Sequence, residues 1–287
     1  MKRILFYGNC QLGSLSKHIR DSSDKYQILN CTDYGLEKFW ADEGLFATWC
    51  PENKCNQHKY ISKVIEAVQT CDYFVFNHHV KNAAIRHDEL STEFLISKLS
   101  RKSVAICLPS FRYSGYHYFT DEVNPLLRIL YRRGLSAEEI FDYLTTEDNS
   151  DMRKDMSIKH KQSVDELKTK DRENQNIYPN YIPMSDFVEF NYQHKLIAYD
   201  HSHPSTHYYN ELINRLDDYG IKINRQFDEH NILPGSTQIE PYYIKYFREH
   251  FPNMECMKKH RCFFDIKFNI KLIQKQLDYL IKNEKTY

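Results

Sequence analysis

Short, nearly all-apolar runs alternate along this chain with stretches whose apolar residues recur at helical spacing. That alternation restricts the possible folds more than any other feature of the sequence. Arg3 to Tyr7 is a β-type run ended by Gly8, after which Leu12, Leu15 and Ile19 share one helix face. Tyr26 to Cys31 reads as a second strand. His58 to Thr70 reads as a helix with Ile61, Val64, Ile65 and Val68 on one side. Asp72 to Phe76 is an apolar strand, Thr92 to Leu99 a helix, and Val104 to Leu108 a strand stopped by Pro109. Consecutive strands joined through helices pair in parallel, because a parallel neighbour needs a long crossover that a helix supplies. Strands with almost no polar positions bury both faces. The expected class is α/β, with a central parallel sheet.

The middle of the chain changes character. Asn124 to Asn176 predicts a run of helices, with Leu126, Leu127, Ile129 and Leu130 in one and Ile140, Phe141 and Leu144 in another. Asp151 to Glu173 mixes both charge signs, the pattern of a solvated helix face. Sheet character returns at Leu196 to Tyr199, followed by a helix from Thr206 to Leu216. Near the end, Ile270, Ile273, Leu277 and Ile281 form the stripe of an amphipathic helix at about 267–283. No repeat or low-complexity linker divides these parts. The expectation is one domain over 1–287 with a mostly helical insertion at about 124–180.

Composition excludes some partners. The chain has 39 basic and 39 acidic side chains, so no bulk positive charge is available for nucleic acid or an anionic membrane. The apolar run near the start, Ile4 to Tyr7, is too short for a signal peptide, and no later stretch reaches a membrane span. A cytoplasmic location follows as an expectation, with the 8 cysteines reduced. Cys50, Cys55 and His58 suggest zinc, but no second ligand pair at matching spacing follows, so no metal is expected.

Open parallel sheets place their ligand crevice at the carboxyl ends of the strands. Polar clusters stand at such ends here: Gly8-Asn9-Cys10-Gln11, Asn77-His78-His79, and Asp200-His201-Ser202-His203-Pro204-Ser205. Cys10 lies in the first turn of a helix, where the dipole and unpaired N–H groups favour a thiolate and can hold an oxyanion. The plainer reading makes it a small buried residue under a tight turn. Asp200 and His203 are three apart, so the carboxylate can orient the ring as a base. Here the plainer reading is that Asp200 and Ser205 cap the following helix. Asn77-His78-His79 either donates hydrogen bonds to a carbonyl oxygen or is loop polarity without a task.

These pieces together resemble a known family. A glycine–polar–nucleophile turn after the first strand, with Asp-x-x-His near the last, resembles the SGNH (GDSL-type) hydrolase and acyltransferase architecture. Within it the chain looks like the WcbI-type polysaccharide-biosynthesis acetyltransferases. The resemblance rests on Gly8-Asn9-Cys10-Gln11 and on Pro109-Ser110-Phe111-Arg112-Tyr113-Ser114-Gly115-Tyr116-His117. It extends through Ser185-Asp186-Phe187, Asn191 and Leu196 to His203-Pro204-Ser205. It implies a three-layer SGNH-like fold, coenzyme A as acyl donor (acetyl-coenzyme A above all), and a sugar or nucleotide-sugar acceptor. Lys38 to Cys55 matches no part of that pattern.

Acyl transfer from a thioester needs a nucleophile or activated acceptor, a proton acceptor, and donors facing the developing oxyanion. The assignments that follow from the resemblance are His203 as base, oriented by Asp200, and Cys10 at the reacting centre. Gly8, Asn9, Gln11, Asn77, His79, Tyr116, His117 and Ser205 are candidates for the oxyanion hole and substrate contacts. Lys81, Arg86 and Arg112 are candidates for the phosphates of coenzyme A. Cys10 either forms an acyl-cysteine or stands by while His203 activates the acceptor. Direct transfer is preferred, because exchange between two thioesters gains no driving force. Rival readings are an SGNH-type esterase or deacetylase, and a non-catalytic glycan- or nucleotide-binding module.

Overall fold

The computed structural model describes residues 1–32, 54–78, 88–113, 125–145, 150–192, 195, 197–198, 203–224, 226 and 266–284. Strand β1 (Lys2–Gly8) leads into helix α1 (Cys10–Ser22) and then strand β2 (Tyr26–Thr32). Helix α2 (Lys54–Thr70) precedes β3 (Tyr73–Asn77), and α3 (Thr92–Ser97) precedes β4 (Val104–Leu108). The strands pair in the order β2-β1-β3-β4, all parallel. The α/β class and parallel sheet expected from the alternation are therefore present. From β1 the chain steps outward to β2, then returns past β1 to lay down β3 and β4. The strand order thus reverses between β1 and β3, the position at which open α/β sheets bind ligands.

Both faces of the sheet are buried. Leu5, Tyr7, Phe74, Phe76 and Cys107 share one face of the sheet and pack with Val64 and Val68 of α2 and Leu95 of α3. Their alternates Ile4, Phe6, Val75 and Ile106 are also fully buried, so a one-residue slip has no polar face to expose. Helix α1 packs on β1 and β2 and buries Leu12, Leu15 and Ile19, the stripe expected for it.

The chain forms two compact units. The first comprises Met1–Phe111, Lys168–Met184 and Tyr209–Asn231, and contains the sheet. The second comprises Arg112–Leu167, Ser185–Tyr208 and Ile232–Tyr287. Helices occupy the region where a helical run was expected: α4 (Pro125–Arg132), α5 (Ala137–Thr145) and α6 (Ser150–Ile177). They are followed by α7 (Ser185–Asn191), α8 (Thr206–Asp217) and α9 (Ile266–Glu284).

Some expectations are corrected. Of the segment Leu196 to Tyr199, only Ile197 and Ala198 are described, and they belong to none of the four strands of the sheet. Ala198 instead makes an isolated bridge with Pro204, and the Ser205 N–H donates to the Ile197 carbonyl at 3.0 Å. The Ile197 carbonyl is thereby taken from any ladder with the sheet. On α9 the buried stripe is Ile273, Leu277 and Leu280, while Ile281 is 40% exposed. Leu280 is three residues beyond Leu277 and stays on the stripe, which Ile281 overshoots. The charged stretch Asp151 to Glu173 is not wholly solvated. Asp171 is buried and accepts from the Tyr181 hydroxyl (2.6 Å) and the Met184 N–H (3.0 Å). Lys38 to Cys55 falls almost wholly outside the described residues, and no described helix is long and apolar enough to cross a membrane.

Phe74 is fully buried and stacks on Phe76 with centroids 5.0 Å apart. Phe74→Ala should therefore cost about 3–5 kcal/mol, read from the urea midpoint of the purified protein. A loss near zero would mean that this face of the sheet is not a packed core.

Candidate active site at the reversal of strand order

Gly8 closes β1 at φ +153°, a conformation that side chains rarely adopt, and the chain turns directly into α1. Asn9 is the N-cap: its side chain accepts from the Gln11 N–H at 3.1 Å. Its carbonyl accepts from the N–H groups of Leu12 (3.1 Å) and Gly13 (3.2 Å). Asn9 also reaches outward. Its backbone N–H donates to Asn77 Oδ1 (3.4 Å), and its Nδ2 donates to Ser110 Oγ (3.2 Å).

Asn77, at the end of β3, is 1% exposed. Its Nδ2 donates to the carbonyls of Leu108 and Pro109, each at 3.1 Å. Gln11 completes the arrangement: Nε2 donates to the Phe111 carbonyl and Oε1 accepts from the Phe111 N–H, both at 2.9 Å. The ends of β1, β3 and β4 are thus tied by amide side chains. This changes how two sequence candidates are understood. With both protons of its amide on carbonyls, Asn77 positions strand ends and has no donor left for an oxyanion. The Gln11 amide likewise holds the chain after β4.

Cys10 occupies the first position of α1 within this frame, half-buried, with a free thiol. No described residue accepts from its backbone N–H, the group that a helix start leaves open to an anion. The contrast with the other described cysteines is sharp. Cys31, Cys71 and Cys107 are buried, and burial pushes their thiols up to about 12, 11 and 12. Of the cysteines whose side chains are described, Cys10 is the accessible one.

His78 follows Asn77, and its Nδ1 lies 2.6 Å from the Tyr178 hydroxyl. Tyr178 is buried, edge-on to Phe76 with centroids 5.2 Å apart. Beyond it the chain returns to the sheet edge. The Cys107 N–H donates to the Asn180 carbonyl (3.1 Å) and the Ile182 N–H to the Cys107 carbonyl (3.0 Å). Asp171 fixes this return through the bonds to Tyr181 and Met184 described above. Tyr178 was not visible as a site residue in the sequence. The one local signal was Pro179, which ends α6 and forces the chain to leave it.

The remaining candidates separate. Gly8, Asn9, Cys10, Gln11 and Asn77 come together at the reversal of strand order. His79, Lys81, Arg86, Tyr116, His117 and Asp200 lie outside the described residues. Arg112, exposed, belongs to the second unit. His203, half-buried, and Ser205, buried, belong there too; Ser205 Oγ accepts from the Tyr208 N–H (3.4 Å), a capping bond. Among the described residues no cluster of His, Cys, Asp or Glu is placed to hold a metal ion.

Accessibility makes a direct prediction. Brief iodoacetamide treatment of the native protein should modify Cys10 well before Cys31, Cys71 or Cys107, read by peptide mass spectrometry. Equal labelling of all four would contradict the exposed turn.

Comparison with known proteins bears on the fold and the family. A solved structure matches the chain with a TM-score of 0.59 at 17% identity, covering 96% of this chain and 98% of the other. It is described as WcbI, a novel polysaccharide biosynthesis enzyme, in its native form without a disulfide bond between coenzyme A and a cysteine. At that identity the match speaks for the fold. No curated protein matches the chain in sequence. The sequence model described as "Polysaccharide biosynthesis enzyme WcbI" matches residues 51–219, a span that holds Asn77, His78, Ser110, Tyr178 and His203. Since that span is more than half of the chain, the protein belongs to the WcbI family of polysaccharide biosynthesis enzymes.

Proposed function

We propose that the protein transfers an acyl group, acetyl in the simplest case, from coenzyme A to a sugar during polysaccharide biosynthesis. The observation that carries this reading is the Cys10 turn at the reversal of strand order. An accessible thiol and an open N–H stand there at one helix start. Family membership and the mention of coenzyme A for the matching solved structure support the choice of donor. The SGNH-like reading, with one domain and the helices of 124–180 inserted, belongs to the same proposal.

In the reaction, a hydroxyl or amine of the acceptor attacks the thioester carbonyl. The carbonyl–sulfur bond breaks, coenzyme A leaves as its thiol, and the acceptor's proton passes through the base to the departing sulfur. The Cys10 N–H faces the developing oxyanion. His203, oriented by Asp200, is the base, an assignment made from the Asp-x-x-His spacing and tested by substitution. Lys81, Arg86 and Arg112 remain the candidates for phosphate contacts, with a sugar or nucleotide sugar as acceptor. The cytoplasm is the expected setting.

Coenzyme A at about 100 times its Kd should stabilise the fold by about 2.7 kcal/mol, seen as a raised melting temperature. His203→Ala should lower turnover by about 10²- to 10⁴-fold with coenzyme A binding little changed. Cys10→Ser keeps the turn and its N–H, so direct transfer survives it, whereas an acyl-cysteine route collapses. No melting shift with millimolar coenzyme A, or full activity after both substitutions, would remove this reading in favour of an esterase or a binding module.

A further inference from the structure

His78 and Cys10 each follow one member of a hydrogen-bonded pair, since the Asn9 N–H donates to Asn77 Oδ1. The two residues therefore leave neighbouring strands at the same level of the sheet, inside the first unit. The ring of His78 is half-buried and meets the Tyr178 hydroxyl at Nδ1. The question that decides its chemistry is which partner supplies the shared proton.

The phenol supplies it. Burial, reinforced by the charges of Glu93 and Cys107, pushes Tyr178 ionisation well above the usual tyrosine range, so its proton is present at any working pH. Among the described residues that hydroxyl has no acceptor besides His78. If the ring donated instead, the phenol proton would be left without an acceptor among the described residues, which a part-buried site disfavours. Nδ1 is therefore the acceptor. A neutral imidazole that accepts at one nitrogen carries its proton on the other.

We infer that Tyr178 fixes the His78 proton on Nε2, making His78 a hydrogen-bond donor to the carbonyl oxygen of the thioester bound beside Cys10. The inference rests on the proposed coenzyme A reading for the identity of that oxygen. Tyr178 is a positioning residue and His78 the group that touches substrate. The assignment gives the Asn77-His78-His79 cluster its donor through His78, and it replaces the amide of Asn77, whose protons are committed to Leu108 and Pro109. A donor aimed at the carbonyl oxygen strengthens as charge develops there, so it acts on the transition state more than on binding.

The test is ¹⁵N NMR of the full chain labelled at its histidine rings, at a pH well above the usual imidazole value of about 6.5. His78→Gln identifies the signals. The expected spectrum has Nε2 protonated and Nδ1 bare, and Tyr178→Phe should shift His78 toward a mixture of tautomers. A proton found on Nδ1, or a His78 spectrum indifferent to Tyr178→Phe, overturns the inference.

The second arm adds an acetyl-coenzyme A analogue in which methylene replaces sulfur, keeping the carbonyl but resisting cleavage. Its binding, read separately as a raised melting temperature, tests the proposed function alone; no binding defeats that function and the donor's target together. With binding established, the Nε2–H resonance should move, and a stationary resonance overturns the inference. In turnover of acetyl-coenzyme A, His78→Ala should lower kcat by about 10²- to 10³-fold with analogue affinity unchanged, and an unchanged kcat overturns it.

Discussion

The side-chain amide of Asn77 holds the ends of three strands at one level. It takes the N–H of Asn9 after β1 and gives its own protons to two carbonyls at the end of β4. Buried amide bonds of this kind contribute little net free energy when satisfied and cost much when broken. Their effect here is positional. With Asn9 capping α1 and Gln11 gripping Phe111, the start of α1 cannot drift from the ends of its neighbours. A site at this edge inherits that rigidity from backbone groups.

Apolar packing explains why the polar frame forms where it does. Strands β1 and β3 are buried on both faces, so their polar residues are confined to the ends. In the order β2-β1-β3-β4 the strand order reverses between β1 and β3, the position at which open α/β sheets bind ligands. Asn9, Cys10 and His78 are partly exposed there, whereas Asn77 and Gln11 are buried within the frame. Asn9 is committed to the frame by its hydrogen bonds, whereas Cys10 keeps an open N–H and a free thiol.

Much of this was legible in the sequence, and what was missed has physical causes. Strand and helix alternation carried the class, because the period of apolar residues reports burial directly. Gly8 marked the turn, since it offers unusual backbone freedom, and the cap that Asn9 supplies emerged only in the structure. The role of Asn77 was hidden, because the sequence shows an amide at a strand end and not its partners, a backbone carbonyl having no signature. Tyr178 was hidden for a related reason. It lies a hundred residues from His78, and only the return of the chain after Pro179 brings them together. At Leu196 to Tyr199 a short apolar run reads as a strand whether or not a neighbour is there to pair with it, and its described residues, Ile197 and Ala198, stand outside the four-stranded sheet. The resemblance to the WcbI family also rested on the Cys10 turn, which lies outside the span that the family model matches.

The central claim is that coenzyme A chemistry occurs at the reversal of strand order, at the start of α1. A crystal structure of the protein with coenzyme A bound measures this most directly. The account predicts the coenzyme A sulfur beside Cys10, with Asn9 and His78 within contact of the acyl position. Coenzyme A seated elsewhere, with the turn of Gly8 to Gln11 untouched, would contradict it.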